Sequence, residues 1–231
     1  MKKLGGALAT LLLLSSCGRA PVGPTRHESV HFDLDKSEAL RLDLRMSAGE
    51  LHVDGGSSYL AEADFTYNVP EWKPEVNYHS TGSHGDLQLS QPDRGSGFGE
   101  TENRWDVRLN NERETDLVAK LGAGEVQMNL GSLSLRNLEL NIGAGELKID
   151  LRGNPKRSYD VRIHGGVGSA TVYLPKGVGI SATASGGIGS VDVDGLEERN
   201  GRYVNVSQLN SPVTVRVEVQ GGVGEIKLIA E

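Results

Sequence analysis

The chain has 231 residues, enough for one main domain with a sizeable core. Its 31 glycines against three Phe and two Trp mark a strand-and-turn composition whose periodic Val, Leu and Ile stretches exclude a disordered chain. A formal charge of −7 without any basic cluster excludes nucleic acid as a partner and argues against contact with anionic membrane surfaces beyond a lipid anchor.

The first segment stands apart from the rest. Met1-Lys2-Lys3, an apolar run from Leu4 to Leu14, and Ser15-Ser16-Cys17 have the three parts of a secretory signal. The apolar run is too short to span a bilayer as a mature helix. Leu14-Ser15-Ser16-Cys17 resembles the lipobox of bacterial lipoproteins, which implies cleavage before Cys17 and acylation of its thiol and new amino group. Several acyl chains on one residue give stable anchoring, at about 0.8 kcal/mol per buried methylene. Cys17 is the sole cysteine, so no intramolecular disulfide can form. The expected organisation is a signal peptide over 1–16, a flexible Gly- and Pro-bearing tether over 17–28, and a β domain over 29–231. Gly18 in place of an acidic residue resembles the outer-membrane sorting signal, if the source has two membranes. Loss of Lys2 and Lys3 takes the charge to −9.

Val30, Phe32 and Leu34, then Leu40, Leu42 and Leu44, alternate with polar residues around Asp35-Lys36-Ser37-Glu38, which predicts a hairpin over 29–45. Ser47-Ala48-Gly49-Glu50 follows, the first of six similar turns. The others are Gly122-Ala123-Gly124-Glu125, Gly143-Ala144-Gly145-Glu146, Gly166-Val167-Gly168-Ser169, Gly187-Ile188-Gly189-Ser190 and Gly222-Val223-Gly224-Glu225. Gly49 and Gly124 are 75 positions apart, whereas Gly124, Gly145, Gly168 and Gly189 follow at 21, 23 and 21. Residues 59–116 therefore form a non-repeat segment. It holds seven of the eleven aromatic residues and, between Gln91 and Asn103, a Gly-rich run that reads as a mobile loop.

Alternating apolar residues flank each turn, and no stretch after the signal carries a sustained 3.6-residue period. The fold class is all-β. Glycine at the third turn position permits positive φ on every layer, so the chain reverses identically each time. Regular repeats of this kind predict a stacked β-solenoid, with a β-sandwich of successive hairpins as the alternative. Gly49, Gly124, Gly145, Gly168, Gly189 and Gly224 are the expected structural turns.

Val69-Pro70-Glu71-Trp72-Lys73-Pro74, Asn103-Arg104-Trp105-Asp106-Val107-Arg108-Leu109, the Gly-Ala-Gly-Glu copies and the closing Gly-Gly-Val-Gly-Glu together resemble the toast-rack domain family. That domain also occurs in relatives of LiaF-type cell-wall stress proteins. The resemblance implies a stacked β fold outside the cytoplasm, without established catalysis and without catalytic residues to carry over. LiaF-type proteins restrain a membrane sensor kinase. This chain differs from them by a lipid anchor in place of membrane-spanning segments.

Candidate chemistry is sparse. Glu50, Glu125, Glu146 and Glu225 occupy equivalent turn positions, with Ser169 and Ser190 in the other two copies. Stacking would place them in one column, able to bind Ca²⁺ or act on a glycan, or simply solvated as exposed Glu normally is. The calcium nonapeptide of β-rolls needs an Asp where this chain has Ala170, Val191 and Ile226. Strand, not helix, follows each Gly pair, which excludes a dinucleotide or phosphate loop. His79 and His84 share one stretch, but the six His lack zinc-site spacing, and no metal or cofactor is expected. No catalytic residue is assigned. The candidate binding residues are Trp72, Trp105, Tyr67 and Tyr78, whose rings either form a platform for a partner or glycan or cap an open end of the stack. The expected activity is that of a lipid-anchored, non-catalytic binding or adhesion-like module of the bacterial envelope with a place in its stress response. A glycan-active β-helix enzyme is the alternative.

Overall fold

The computed structural model describes residues 19–20, 22–93, 96–97 and 100–231. Cys17, the signal peptide and the start of the tether lie outside the described residues. Among the described residues fifteen strands account for the fold: β1 (Arg19–Ala20), β2 (Arg26–Phe32), β3 (Ala39–Gly55), β4 (Ala61–Tyr67), β5 (Glu75–Thr81), β6 (His84–Ser90), β7 (Ser96–Gly97), β8 (Asn103–Leu109), β9 (Glu114–Asn129), β10 (Ser134–Asp150), β11 (Tyr159–Leu174), β12 (Gly179–Asp194), β13 (Glu197–Arg199), β14 (Arg202–Val204) and β15 (Thr214–Ala230). Thirteen of them form one sheet, and β1 pairs with β7 apart from it. Among the described residues no helix is long and apolar enough to cross a membrane.

The six long strands cannot be straight. At about 3.3 Å per residue, β9 would extend over about 50 Å, yet four residues, 130–133, carry the chain to β10, which starts beside the start of β9 in parallel register. Four residues reach at most about 14 Å. Each long strand must therefore fold back on itself, and it does so at its Gly-x-Gly turn. Gly124 takes φ +137°, and the pairing of β9 with β10 passes from Leu121 and Ile142 directly to Ala123 and Ala144. The result is a flattened coil of two arms. This is the expected solenoid; the sandwich alternative fails because the long strands pair in parallel.

Period-2 alternation then sends every second residue between the arms. Leu42, Leu117, Leu138, Val161, Val217 and Ala182 form one in-register interior column from the first arms. Val53, Met128, Ile149, Val172 and Leu228 form another from the second, and all are buried. Each layer supplies only a few apolar side chains, so the core exists by stacking.

Two features depart from simple succession. The C-terminal strand β15 lies between β11 and β12, paired in parallel with both, so the last 17-residue strand fills a slot left open when β12 formed one place further out. The predicted hairpin over 29–45 is absent: β2 pairs antiparallel with β4, and β3 pairs with β6, β8 and β9. Asp35 to Glu38 breaks the alternation as expected, but the strands it separates go to different neighbours.

The non-repeat segment is a further coil with its corner replaced. β6 lies parallel to the first arm of β3, and β8 lies parallel to its second arm. Beyond them β4 and β2 continue antiparallel from β8, while β5 covers β6.

Candidate functional site

The third turn glycine is needed twice over. All six have φ between +137° and +142°, where an L side chain is strained. A Cβ on Gly145 would also sit 1.8 Å from the carbonyl oxygen of Gly124, and a Cβ on Gly124 1.8 Å from that of Gly49. The corners thus stack backbone on backbone. At the replaced corner the carbonyl of Asn103 takes the place of the next glycine's, 2.2 Å from where a Cβ on Gly49 would sit, and side chains add to the hold. Gln91 Oε1 accepts from the amides of Ser47 (2.9 Å) and Ala48 (3.4 Å), and Asn103 Nδ2 donates to Ala48 O at 2.7 Å and to Gln91 Oε1 at 3.0 Å.

The four aromatic candidates do not converge on a platform. Trp105 is 0% exposed, packs edge-on against Phe65 at 5.3 Å, and donates its indole N–H to Asn103 Oδ1 at 3.1 Å. Tyr67 is also 0% exposed and donates to Glu28 Oε1 at 2.6 Å. That bond, with Lys73, holds the Glu28 carboxyl below its usual range. Trp72 is 8% exposed and packs with Val69 in a small separate cluster after Pro70. Tyr78, half-buried on β5, packs on Phe32 and donates to Asp35 Oδ2 at 2.7 Å. The platform expectation is corrected on physical grounds: the rings of Trp105 and Tyr67 present no face to solvent. Trp105 helps fill the coil at the N-terminal end, with β4 laid over it.

The turn glutamates do stack. Register places Glu50, Glu125, Glu146, Ser169, Glu225 and Ser190 side by side in that order. The insertion of β15 changes the expected order, in which both serines occupied middle layers. Three carboxylates adjoin one another, while Glu225 stands between serines and pairs with Lys227 at 3.0 Å. Glu50, Glu125 and Glu146 are exposed. Their mutual repulsion is left to solvent and salt.

The two histidines singled out on 79 and 84 find ordinary neighbours, Asp86 at 3.7 Å for His79 and Ser83 for His84. Among the described residues no group of three or more His, Cys, Asp or Glu is placed to hold a metal ion.

A second column, absent from the sequence expectations, runs beside the corners on the outer face of the first arms. Arg45, Lys120, Asn141, His164, Gln220 and Ser185 are in register there. Its first four members line an open groove of about 890 Å³. Each residue lies four positions before a structural glycine, so aligning the repeats on that glycine would have found the column.

The molecule resembles known proteins over nearly all its length. The family described as the N-terminal domain of toast_rack, DUF2154, matches residues 21–173. A solved structure from Clostridium sporogenes ATCC 15579, named a putative cell adhesion protein, is 32% identical, with TM-score 0.87, covering 90% of this chain and 100% of that one. A structure from Bacteroides fragilis NCTC 9343 named a putative adhesin is 11% identical over 91% of this chain and 100% of that one, with TM-score 0.40. No curated protein matches the chain.

Proposed function

Because the chain belongs to the toast_rack N-terminal domain family, we propose that it is a non-catalytic, adhesion-like binding module of the bacterial envelope, tethered through acylated Cys17. The observation that carries this reading is the likeness, at TM-score 0.87 over 90% of the chain, to the structure named a putative cell adhesion protein. The architecture supports it physically. A stack of bent strands offers long, flat outer faces on a rigid scaffold, as extended binding surfaces of solenoids do. The family resemblance adds a place in the envelope stress response.

Fractionation and binding test the reading together. Cells expressing the intact chain should hold it in the membrane fraction, and a Cys17→Ala chain should be absent from that fraction. The purified protein should retain envelope fragments without consuming them. Polysaccharide turnover that disappears on replacing Glu125 and Glu146 would establish the enzyme alternative instead.

A further inference from the structure

The column beside the corners combines two arrangements that the fold alone does not explain. Arg45 and Lys120 are directly opposite on neighbouring strands, and like charges in that position repel. Arg45 is held by Asp43 through Nε at 2.7 Å and Nη2 at 3.2 Å, whereas Lys120 is exposed and has no ion pair among the described residues. Two layers further on, the Nδ1 atom of His164 is buried with no hydrogen-bond partner among the described residues. A buried polar atom in that state calls for an explanation. Both features border the same open groove.

The rest of the groove suits a chain-like ligand. Its edge is made by Gly122, Gly143 and Gly166, where nothing projects and a ligand can approach the backbone. Those glycines are required for stacking in any case, since a Cβ on Gly143 would lie 2.3 Å from Gly122 O. One polar side chain recurs per layer, about every 4.8 Å, roughly the length of one pyranose unit. Gln91 and Asp93 complete the lining at the β3 end, and Asp93 sets one negative charge in the groove that Arg45 and Lys120 also line.

We propose that this groove binds a linear glycan bearing carboxylate groups, laid along the stack with successive sugars on successive layers. Lys120, beside Arg45, takes a carboxylate and so removes the repulsion between the two cations. Asn141 and His164, which line the groove with Lys120, take hydroxyls, and a turn of the imidazole about its Cβ–Cγ bond brings the buried Nδ1 to the partner it lacks. A single small anion would use only the Arg45 and Lys120 end. The proposal rests on the binding-module reading and names its site and ligand class.

Calorimetric titration of the full chain in detergent with oligogalacturonate, and with its methyl ester, tests it. Oligogalacturonate should bind, and the ester should bind at least tenfold more weakly. Lys120→Glu should weaken binding at least tenfold and His164→Ala severalfold. Lys148→Glu, on the second arm and outside the groove, should leave it unchanged. Absence of binding, equal binding of the ester, or groove variants that bind like the parent would each overturn the proposal. Retention of envelope fragments that is indifferent to Lys120→Glu would overturn the groove while leaving the wider reading intact. Loss of all retention by the parent protein would sink that wider reading.

Discussion

The same corner is turned in two ways within this molecule. From β9 to the C-terminus the backbone turns itself, with glycine at positive φ stacked on the carbonyl of the glycine one layer away. Between β6 and β8 the corner is assembled from Gln91 and Asn103, whose amides hold the neighbouring layer by hydrogen bonds. The first solution is repeatable and intolerant, because a backbone carbonyl cannot move aside for a methyl group. The second keeps one such approach, Asn103 O against Gly49, and depends in addition on buried polar groups remaining paired. That contrast predicts different failure modes for the two regions.

The sharpest break is expected at the glycine corners. Gly145→Ala places a Cβ 1.8 Å from Gly124 O and forces an L side chain to φ +141°. A loss of more than about 4 kcal/mol, or failure to fold, is expected by urea unfolding. Gly56→Ala provides the control. Gly56 has φ +98° but nothing within 4 Å of its would-be Cβ, so only backbone strain of about 1–2 kcal/mol applies. Equal effects at the two positions would show that φ, and not stacking, decides the corner.

The side-chain corner should fail more gently. Asn103→Ala removes the donor to Ala48 O and the acceptor for the indole of fully buried Trp105. Each buried group left unpaired costs about 1–3 kcal/mol. The folded state should persist with a lower urea midpoint and a perturbed near-ultraviolet tryptophan signal. Unchanged stability would mean that water replaces both bonds, and that the replaced corner holds by packing alone.

The two regions were also unequally legible. Period-2 alternation and the fixed distance between turns carried the coil, because each layer repeats one local solution and its in-register neighbours are copies of itself. Non-local choices were not legible. Nothing near Thr214 to Ala230 signals that β15 enters between β11 and β12, since its pattern fits any slot in a parallel stack. The separation of β2 from β3 was hidden for a related reason: alternation identifies a strand but not its partner, and an antiparallel hairpin and two unrelated strands share the same pattern. Trp72 and Trp105 carry no signal of their own about exposure, because large rings serve a core as readily as a surface. The column with Lys120 and His164 was invisible until the repeats were in register, since its members share a position and not a residue type.

A smaller effect concerns the N-terminal end, where β5 and the 33–38 segment are joined through Asp35. Burial pushes the Asp35 carboxyl up, but hydrogen bonds from the Tyr78 hydroxyl and the Ser37 amide outweigh it and bring the pKa down to about 2. A depressed folded-state value stabilises the protein above the unfolded value of 3.8, and that contribution is lost as pH falls from there through about 2. Tyr78→Phe should raise the Asp35 pKa and flatten the decline in stability over that window. An acid transition unaffected by Tyr78→Phe would place the sensitive groups elsewhere.

The smallest expected effect compares two positions of one column. Glu125 stands between Glu50 and Glu146, so like charges face it on both sides about 4.8 Å away along the stack. Glu225 stands between Ser169 and Ser190 and has Lys227 as its partner. Glu125→Gln should therefore stabilise by a few tenths of a kcal/mol, up to about 1, at low ionic strength, because it removes two repulsions at once. Molar salt should abolish that gain, since the screening length falls to about 3 Å. Glu225→Gln should do the reverse, with the small loss usual for an exposed pair. Opposite signs at low salt and convergence at high salt would mean that the order of layers, set by the insertion of β15, governs the charge of this face. The same sign at both positions would mean that the local turn, Gly-Ala-Gly-Glu in one and Gly-Val-Gly-Glu in the other, outweighs the neighbours.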